Sequence, residues 1–262
     1  PRNVSNGRRM HAAWTYLAPA RSRPNLAIIS DVMVDHILFD RRRVVGVRTA
    51  DGQELRGAEV ILCAGAFGSP AILLRSGLGP AEHLRHLGIT VTLDQPGVGQ
   101  GLRDHPFLGQ LISGTVIAEH APSGPSSLPT MIKARSSQTN TDIDLHIYHG
   151  QCFDLERQAW VVVFSLSGAY ARSHGSVRLS STDPKAPLLI DHQHLAELAD
   201  LEALCDGAEL VSELASMSPL NAMIRPLPSL LPVWRNRNAL RAAVRNHVTT
   251  TFRRAEPRDH DV

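Results

Sequence analysis

The stretch from Glu59 to Gly77 constrains this chain more than any other. It reads Glu-Val-Ile-Leu-Cys over 59–63, then Ala64-Gly65-Ala66-Phe67-Gly68-Ser69-Pro70, then Ala71 to Ser76, then Gly77. A short apolar run bounded by turn residues predicts a buried strand over 59–63. Ser69 is suited to cap a helix by accepting a bond from a free backbone N–H. Pro70 fits the first helical position, where no N–H is needed, and Gly77 fits the left-handed stop. The product is a strand, a glycine-rich turn and a short helix. A second short helix, Pro80 to Leu87, is predicted to stop at Gly88, with another strand over 89–93.

The surrounding sequence bounds the class. The 262 residues are 43% apolar and balance 27 Lys+Arg against 25 Asp+Glu. That excludes global disorder and, without a long basic run, a nucleic-acid arm. One large domain or two smaller ones fit this length. No apolar run reaches the roughly 20 residues that a membrane span needs. Cys63, Cys152 and Cys205 are far apart, odd in number and form no Cys-x-x-Cys, which argues against a zinc ribbon or a disulfide scaffold. Isolated thiols fit a reducing, cytoplasmic compartment. The chain opens on Pro1, so a missing true N-terminus is expected.

Along the chain, a helical patch is predicted at 10–17. Residues 26–63 read as a β-meander that feeds the strand at 59–63. Val34 and Leu38 are its inward candidates, and Asp51-Gly52 is a hairpin turn. Residues 96–106 are a loop and 119–141 a Ser/Pro/Thr-rich connector. Strict alternation at Ile143, Leu145 and Ile147 predicts a strand over 142–148. Strands are also predicted over 160–166, 176–180 and 188–190. Apolar spacing at Leu198, Leu201, Leu204, Ala208 and Val211 predicts a helix over 195–217. A Pro/Leu-rich loop at 226–233 and a last helix over 239–248 complete the reading.

Four features could carry chemistry. Gly97-Val98-Gly99-Gln100-Gly101 resembles a dinucleotide fingerprint, but Leu102 takes the sixth position and Arg103-Asp104-His105-Pro106 opens no helix. A turn with close backbone packing is the better reading. At the Gly65–Gly79 segment, a tight turn and a ligand contact at a helix N-terminus stand equally open. The histidine pairs 83/86, 146/149 and 192/194 lack a third ligand in the sequence, so no metal is expected. No Gly-x-Ser-x-Gly elbow supports a serine nucleophile. On the residues alone the chain is a soluble α/β or α+β protein.

A long ordered pattern goes further. Gly65 through Pro80 closely resembles the second signature of the glucose-methanol-choline (GMC) flavoprotein oxidoreductases. Arg23-Pro24-Asn25-Leu26 resembles that family's "RPNL" entry to a strand. Pro96-Gly97-Val98-Gly99 with Leu102 and Asp104-His105-Pro106 resembles its "PGVGxNLxDHP" loop, with Gly101 in place of Asn. Ser173 to Pro184 resembles its "SRGxVxLxSxDP" block, with His174 in place of Arg. The resemblance spans roughly residues 6–252 and points to the C-terminal portion of such an enzyme.

The resemblance implies an FAD-dependent oxidoreductase that oxidises a small-molecule alcohol to an aldehyde or ketone, passing electrons to oxygen or another carrier. The implied fold is α/β plus α+β. Residues 1–107 would be the later part of an FAD-binding domain, a β-meander and one buried strand with short helices. Residues 108–240 would be a substrate domain of mixed sheet and helices, and 241–262 the start of the catalytic segment. Val34, Gly65 and Ala66 carry over as FAD contacts. The pyrophosphate-binding Gly-x-Gly-x-x-Gly unit is absent, so an N-terminal half is expected to be missing. Asn246 to Phe252 approaches the family's catalytic block, but Arg253 stands at the histidine position. A guanidinium stays protonated and cannot act as the base. No catalytic residue is therefore assigned. The expectation is an inactive piece of a flavoenzyme, with half of a split enzyme or a ligand-binding remnant as alternatives, and exposed apolar surface near 59–63.

Overall fold

The computed structural model describes residues 4–5, 8–117, 131–140, 142–226 and 236–250. Most of the connector expected at 119–141, nearly all of the loop at 226–233, and Phe252 and Arg253 lie outside the described residues. The chain divides into two compact units. One comprises residues 1–63 with 181–186, the other residues 64–180 with 187–262. The cut follows Cys63, whereas the boundary expected from the family lies at 107.

The first unit is built on a three-stranded antiparallel meander. Its strands are β1 (Val34–Asp40), β2 (Arg43–Thr49) and β3 (Glu54–Arg56), paired in that order. Two residues, Arg41 and Arg42, join β1 to β2. The turn after β2 is the expected one, with Gly52 N–H donating to the Thr49 carbonyl at 2.9 Å. The inward set differs from the expectation: Ile37 is the buried residue of β1, while Val34 and Leu38 are half-buried. The register slips between Val34 and His36 and again between Leu38 and Phe39. Each bulge adds a residue against the partner strand and breaks strict alternation.

The predicted strand over 59–63 does not form. These residues are irregular, and Ile61 is 79% exposed. A strand exists only with a neighbour that satisfies its N–H and C=O groups, and no ladder among the described residues reaches this run. The apolar run at 26–29 is likewise irregular. The helical patch near residue 10 is real, running as a π-type segment Ala13–Leu17 into a short turn Ala18–Ala20.

The second unit opens with α1 (Gly65–Arg75) and α2 (Ala81–His86). The helix α1 begins four residues earlier than Ser69, so Ser69 and Pro70 sit inside it rather than at its mouth. Ser69 Oγ still accepts a bond from a terminal backbone N–H, that of Ala64, at 3.0 Å. Gly77 and Gly88 follow the two helices as predicted. At the second stop, Gly88 N–H reaches the Arg85 carbonyl and Ile89 N–H the Leu84 carbonyl, the paired bonds of a Schellman motif. The expected strand over 89–93 shrinks to Leu93–Asp94, which lies parallel to Leu78–Gly79.

Two antiparallel sheets follow. The small one orders β4 (Gln100–Leu102), β9 (Gly175–Arg178) and β10 (Leu189–Asp191) as β10-β9-β4. The large one contains β5 (Pro106–Val116), β6 (Met131–Ala134), β7 (Leu145–Asp154) and β8 (Ala159–Gly168), with β11 (Ile224–Pro226) and β12 (Thr249–Thr250). Its order is β6-β7-β8-β5-β11, and β12 also pairs with β5. β5 is the longest strand that sequence reasoning missed.

Helix α3 (Leu198–Ser216) packs its buried stripe Leu201, Leu204, Ala208 and Val211 onto Leu145, Ile147, Phe164 and Leu166 of the sheet. Ile143 falls before the strand and is exposed. A last helix, α4 (Arg237–His247), is capped by Asn236, whose Oδ1 accepts from Ala239 N–H at 2.9 Å. It adds Leu240 and Val244 to the same core. Arg237 clamps α4 to α3 by reaching Glu202, Asp206 and Glu209. The expected mixture of sheet and helix is therefore present. Its described ladders are antiparallel apart from the two-residue parallel pair.

Candidate functional site

The candidate site lies in the second unit, where the glycine-rich turn, the loop at 96–106 and the chain after β10 meet. The turn comes first. Gly65 adopts a φ of +78°, and a Cβ placed on it would meet nothing within 4 Å among the described residues. That combination leaves the backbone open to close approach. The same turn starts an 11-residue helix with no acidic residue in its first turn, so no side chain of that turn neutralises the positive end of the helix dipole. Gly65 and Ala66, two of the expected contact residues, are thus placed as an open, electropositive backbone turn. Val34, the third, begins β1 in the other unit, half-buried and paired with Thr49. Arg253 lies outside the described residues.

The loop at 96–106 is held by backbone contact. Gly99 has φ +79°, and a Cβ there would sit 2.2 Å from the Val177 carbonyl oxygen. Val177 N–H donates back to the Gly99 carbonyl at 2.7 Å. The turn-with-close-packing reading of this loop therefore holds. This anchoring fixes the residues after it, Asp104, His105 and the start of β5. His105 N–H donates to Asp104 Oδ1 at 2.8 Å.

A third element joins them. Asp191 Oδ1 accepts from Gln193 N–H at 3.0 Å, and the chain turns with Gln193 at φ +50°. His192 and His194 leave this turn with stacked rings, 5.0 Å between centroids and 11° between planes. His192 Nδ1 lies 3.6 Å from Asp104 Oδ2, and the rings of His192 and Phe67 on α1 meet edge-to-face at 6.3 Å. Burial holds the His194 imidazole below its usual range, with His192 adding repulsion, so the neutral ring is favoured. Asp104 stands far from both histidines in the sequence, and only the fold brings it beside them.

A second imidazole group continues onto the sheet. His105 meets His146 edge-on at 6.4 Å, and His146 meets Tyr148 at 6.2 Å with the Tyr148 hydroxyl 3.4 Å from His146 Nδ1. Burial, then Lys133 and His105, hold His146 below its usual range, and burial pushes Tyr148 up. Both His146 and Tyr148 stay neutral near neutral pH. His149 lies further along the same strand, and the pair His83 and His86 lies on α2.

Comparison with known proteins gives this arrangement a context. Residues 2–107 match the family model for the N-terminal region of the GMC oxidoreductases. The expectation of a C-terminal portion is thereby corrected for these residues. An uncharacterised GMC-type oxidoreductase of Rhodococcus erythropolis is 32% identical over 246 residues, 89% of this chain and 47% of that protein. An oxygen-dependent choline dehydrogenase of Paraburkholderia phymatum is 52% identical over 106 residues, 39% of this chain and 18% of that protein. The chain spans about half the length, or less, of the curated relatives it matches. Among solved structures, pyridoxine 4-oxidase from Mesorbium loti superposes with a TM-score of 0.80 over 95% of this chain and 51% of that one, at 24% identity. Formate oxidase superposes with a TM-score of 0.74 over 88% of this chain and 51% of that one, at 21% identity. At such identities the likeness is one of fold.

Proposed function

Because residues 2–107 are a stretch of GMC oxidoreductase domain, and a GMC-type relative aligns along 89% of the chain, we propose that this chain is part of an FAD-dependent oxidoreductase acting on an alcohol. The 246-residue alignment carries the reading, because it runs through the glycine-rich turn and the sheet unit together. Residues 1–107 supply the later part of the FAD-binding domain and 108–240 the substrate domain. Val34, Gly65 and Ala66 contact the cofactor.

The residues present fit the group. An open backbone at φ +78° and an unneutralised helix N-terminus suit close approach by a polar, anionic cofactor. When bound, FAD supplies the acceptor for the hydride of the CH–OH carbon. Gly65 keeps the approach open, since any side chain there would occupy it. The Asp104–His105 turn and the neutral His146–Tyr148 pair place polar groups in the same unit, suited to orienting a hydroxyl. The proton of that hydroxyl needs a base. Arg253 stays protonated and does not serve, so the chain alone is inactive and activity belongs to the whole protein that carries this stretch.

The test is a titration of FAD into the full chain followed by flavin fluorescence, with Gly65→Val beside it. Then choline, an aromatic alcohol and a short aliphatic alcohol are added without oxygen, and the flavin absorbance is followed. Expected are saturable flavin quenching, weaker in Gly65→Val, and no bleaching by any alcohol. Bleaching by the chain alone overturns the inactive reading. Equal quenching in Gly65→Val overturns the turn's role.

A further inference from the structure

We infer that Asp104, His192 and His194 form a binding site for one divalent transition-metal ion of the zinc class. One ligand atom from each lies within 4.8 Å of the others, and all three residues belong to one unit. Two imidazole nitrogens and one carboxylate oxygen make a donor set suited to zinc, cobalt or iron(II), with a position left for water.

The polar accounting points the same way. Asp104 has two oxygens. Its Oδ1 is taken by His105 N–H, so Oδ2 is the one that faces His192. His192 Nδ1 and His194 Nε2 are buried atoms without a hydrogen-bond partner among the described residues. A buried polar nitrogen left unmatched is unfavourable, and native sites rarely tolerate two side by side. The local backbone is built to bring them together. His192 and His194 flank Gln193, whose left-handed backbone is braced by Asp191 through both its N–H and its side-chain amide. The Phe67 ring packs against His192 at 6.3 Å and gives the cluster one apolar neighbour. Stacked rings aim their lone pairs in parallel planes, so ligation turns one or both rings until the nitrogens converge. The metal would tie the loop after β4 to the chain after β10, two points far apart in the sequence.

The probe is cobalt(II) alone, added to the full chain and read by its visible d–d absorption, with zinc(II) as the competitor. Expected is a saturable signal at one equivalent, erased by zinc and weakened at least about tenfold in affinity by His192→Ala, His194→Ala or Asp104→Asn. His83→Ala, on α2, leaves it unchanged. A second readout needs no variant. Zinc should shield His192 and His194, and not His86, from diethyl pyrocarbonate in peptide mapping of the unaltered chain. The proposal is overturned by an absent or non-saturating cobalt signal, by an unchanged signal in the His192→Ala/His194→Ala double variant, or by equal modification with and without zinc. None of these readouts depends on flavin or on turnover.

Discussion

Replacing Asp200 by Asn tests whether one buried carboxylate fastens the strap at 172–173 to helix α3. Asp200 is 5% exposed. Its Oδ1 accepts from Arg172 N–H at 2.8 Å, and its Oδ2 accepts from Ser173 N–H at 2.8 Å and Ser173 Oγ at 2.5 Å. It also sits in the first turn of α3, where a negative charge is favoured. An asparagine keeps one acceptor oxygen and turns its NH2 toward the other side, where a backbone N–H already points. If the oxygen stays with Ser173, the bond to Arg172 N–H is lost and two donors meet face to face in a partly buried place. Bonds to a charged group contribute about 1.5–3 kcal/mol each, and an unsatisfied buried donor costs about 1–3 kcal/mol. Because the Arg172 side of the contact is only partly buried, the low end of each range applies, and with the lost charge at the helix start the sum is about 3 kcal/mol. For a chain of this size that lowers Tm by roughly 6–12 °C. The assay is thermal unfolding by circular dichroism and calorimetry, with the exposed Asp183→Asn as control. A Tm within about 2 °C of the unaltered chain would refute the reasoning, because it would mean the carboxylate is hydrated or the strap is not held by it.

Other outcomes rest on the same geometry. Gly99→Ala forces a methyl onto the Val177 carbonyl in a left-handed backbone and breaks the bond between those residues, so it should cost about 2–3 kcal/mol in denaturant unfolding. Burial pushes the Cys205 thiol up from 9.0 to about 11, which cuts its thiolate population about 100-fold relative to an ordinary thiol; exposed Cys63 should take up iodoacetamide far sooner, as peptide mapping reports. Arg241 and Arg237 hold the Glu202 carboxyl below its ordinary range, and for Asp206 the Ser137 hydroxyl and Arg237 outweigh the opposing effect of burial. Lowered folded values give stability that is present above the ordinary carboxylate range and lost as pH falls below about 4. Arg237→Gln should flatten that acid limb of the Tm–pH curve, and an unchanged limb would count against the clamp. In the first unit Trp14, Tyr16, Ile29 and Ile61 are all more than half exposed, so the isolated chain should bind a hydrophobic dye and self-associate in light scattering; a dye-silent monomer would contradict this.

The legible part of the fold is the part whose signals are local. Helix stops at Gly77 and Gly88, the Asp51-Gly52 turn and the stripe of α3 depend on neighbours within a few residues, and they stand where expected. The strand at 59–63 failed because an apolar run states a wish to be covered, while a strand also needs a partner backbone. Strand β5 escaped because Gly109, Ser113 and Gly114 interrupt its apolar pattern; pairing to β8 decides it instead. The inward face of β1 was misread because a bulge leaves no mark in residue types. The candidate cofactor turn was visible as a long motif. The cluster of Asp104 with His192 and His194 was not, since its members meet only after β4, β9 and β10 pair.

The pairing around β5 also sets a schedule. One flank of β5 is completed by β8, but the other is shared between β11, which takes residues 114–116, and β12, which takes 106–107. During synthesis from the N-terminus, that second flank therefore stays bare while β6, β7, β8 and α3 emerge and dock. Among the described residues, it is covered only when Ile224–Pro226 and then Thr249–Thr250 leave the ribosome. A nascent chain paused before residue 224 would carry an open edge, and that interval is when another strand, or a chaperone, could occupy it.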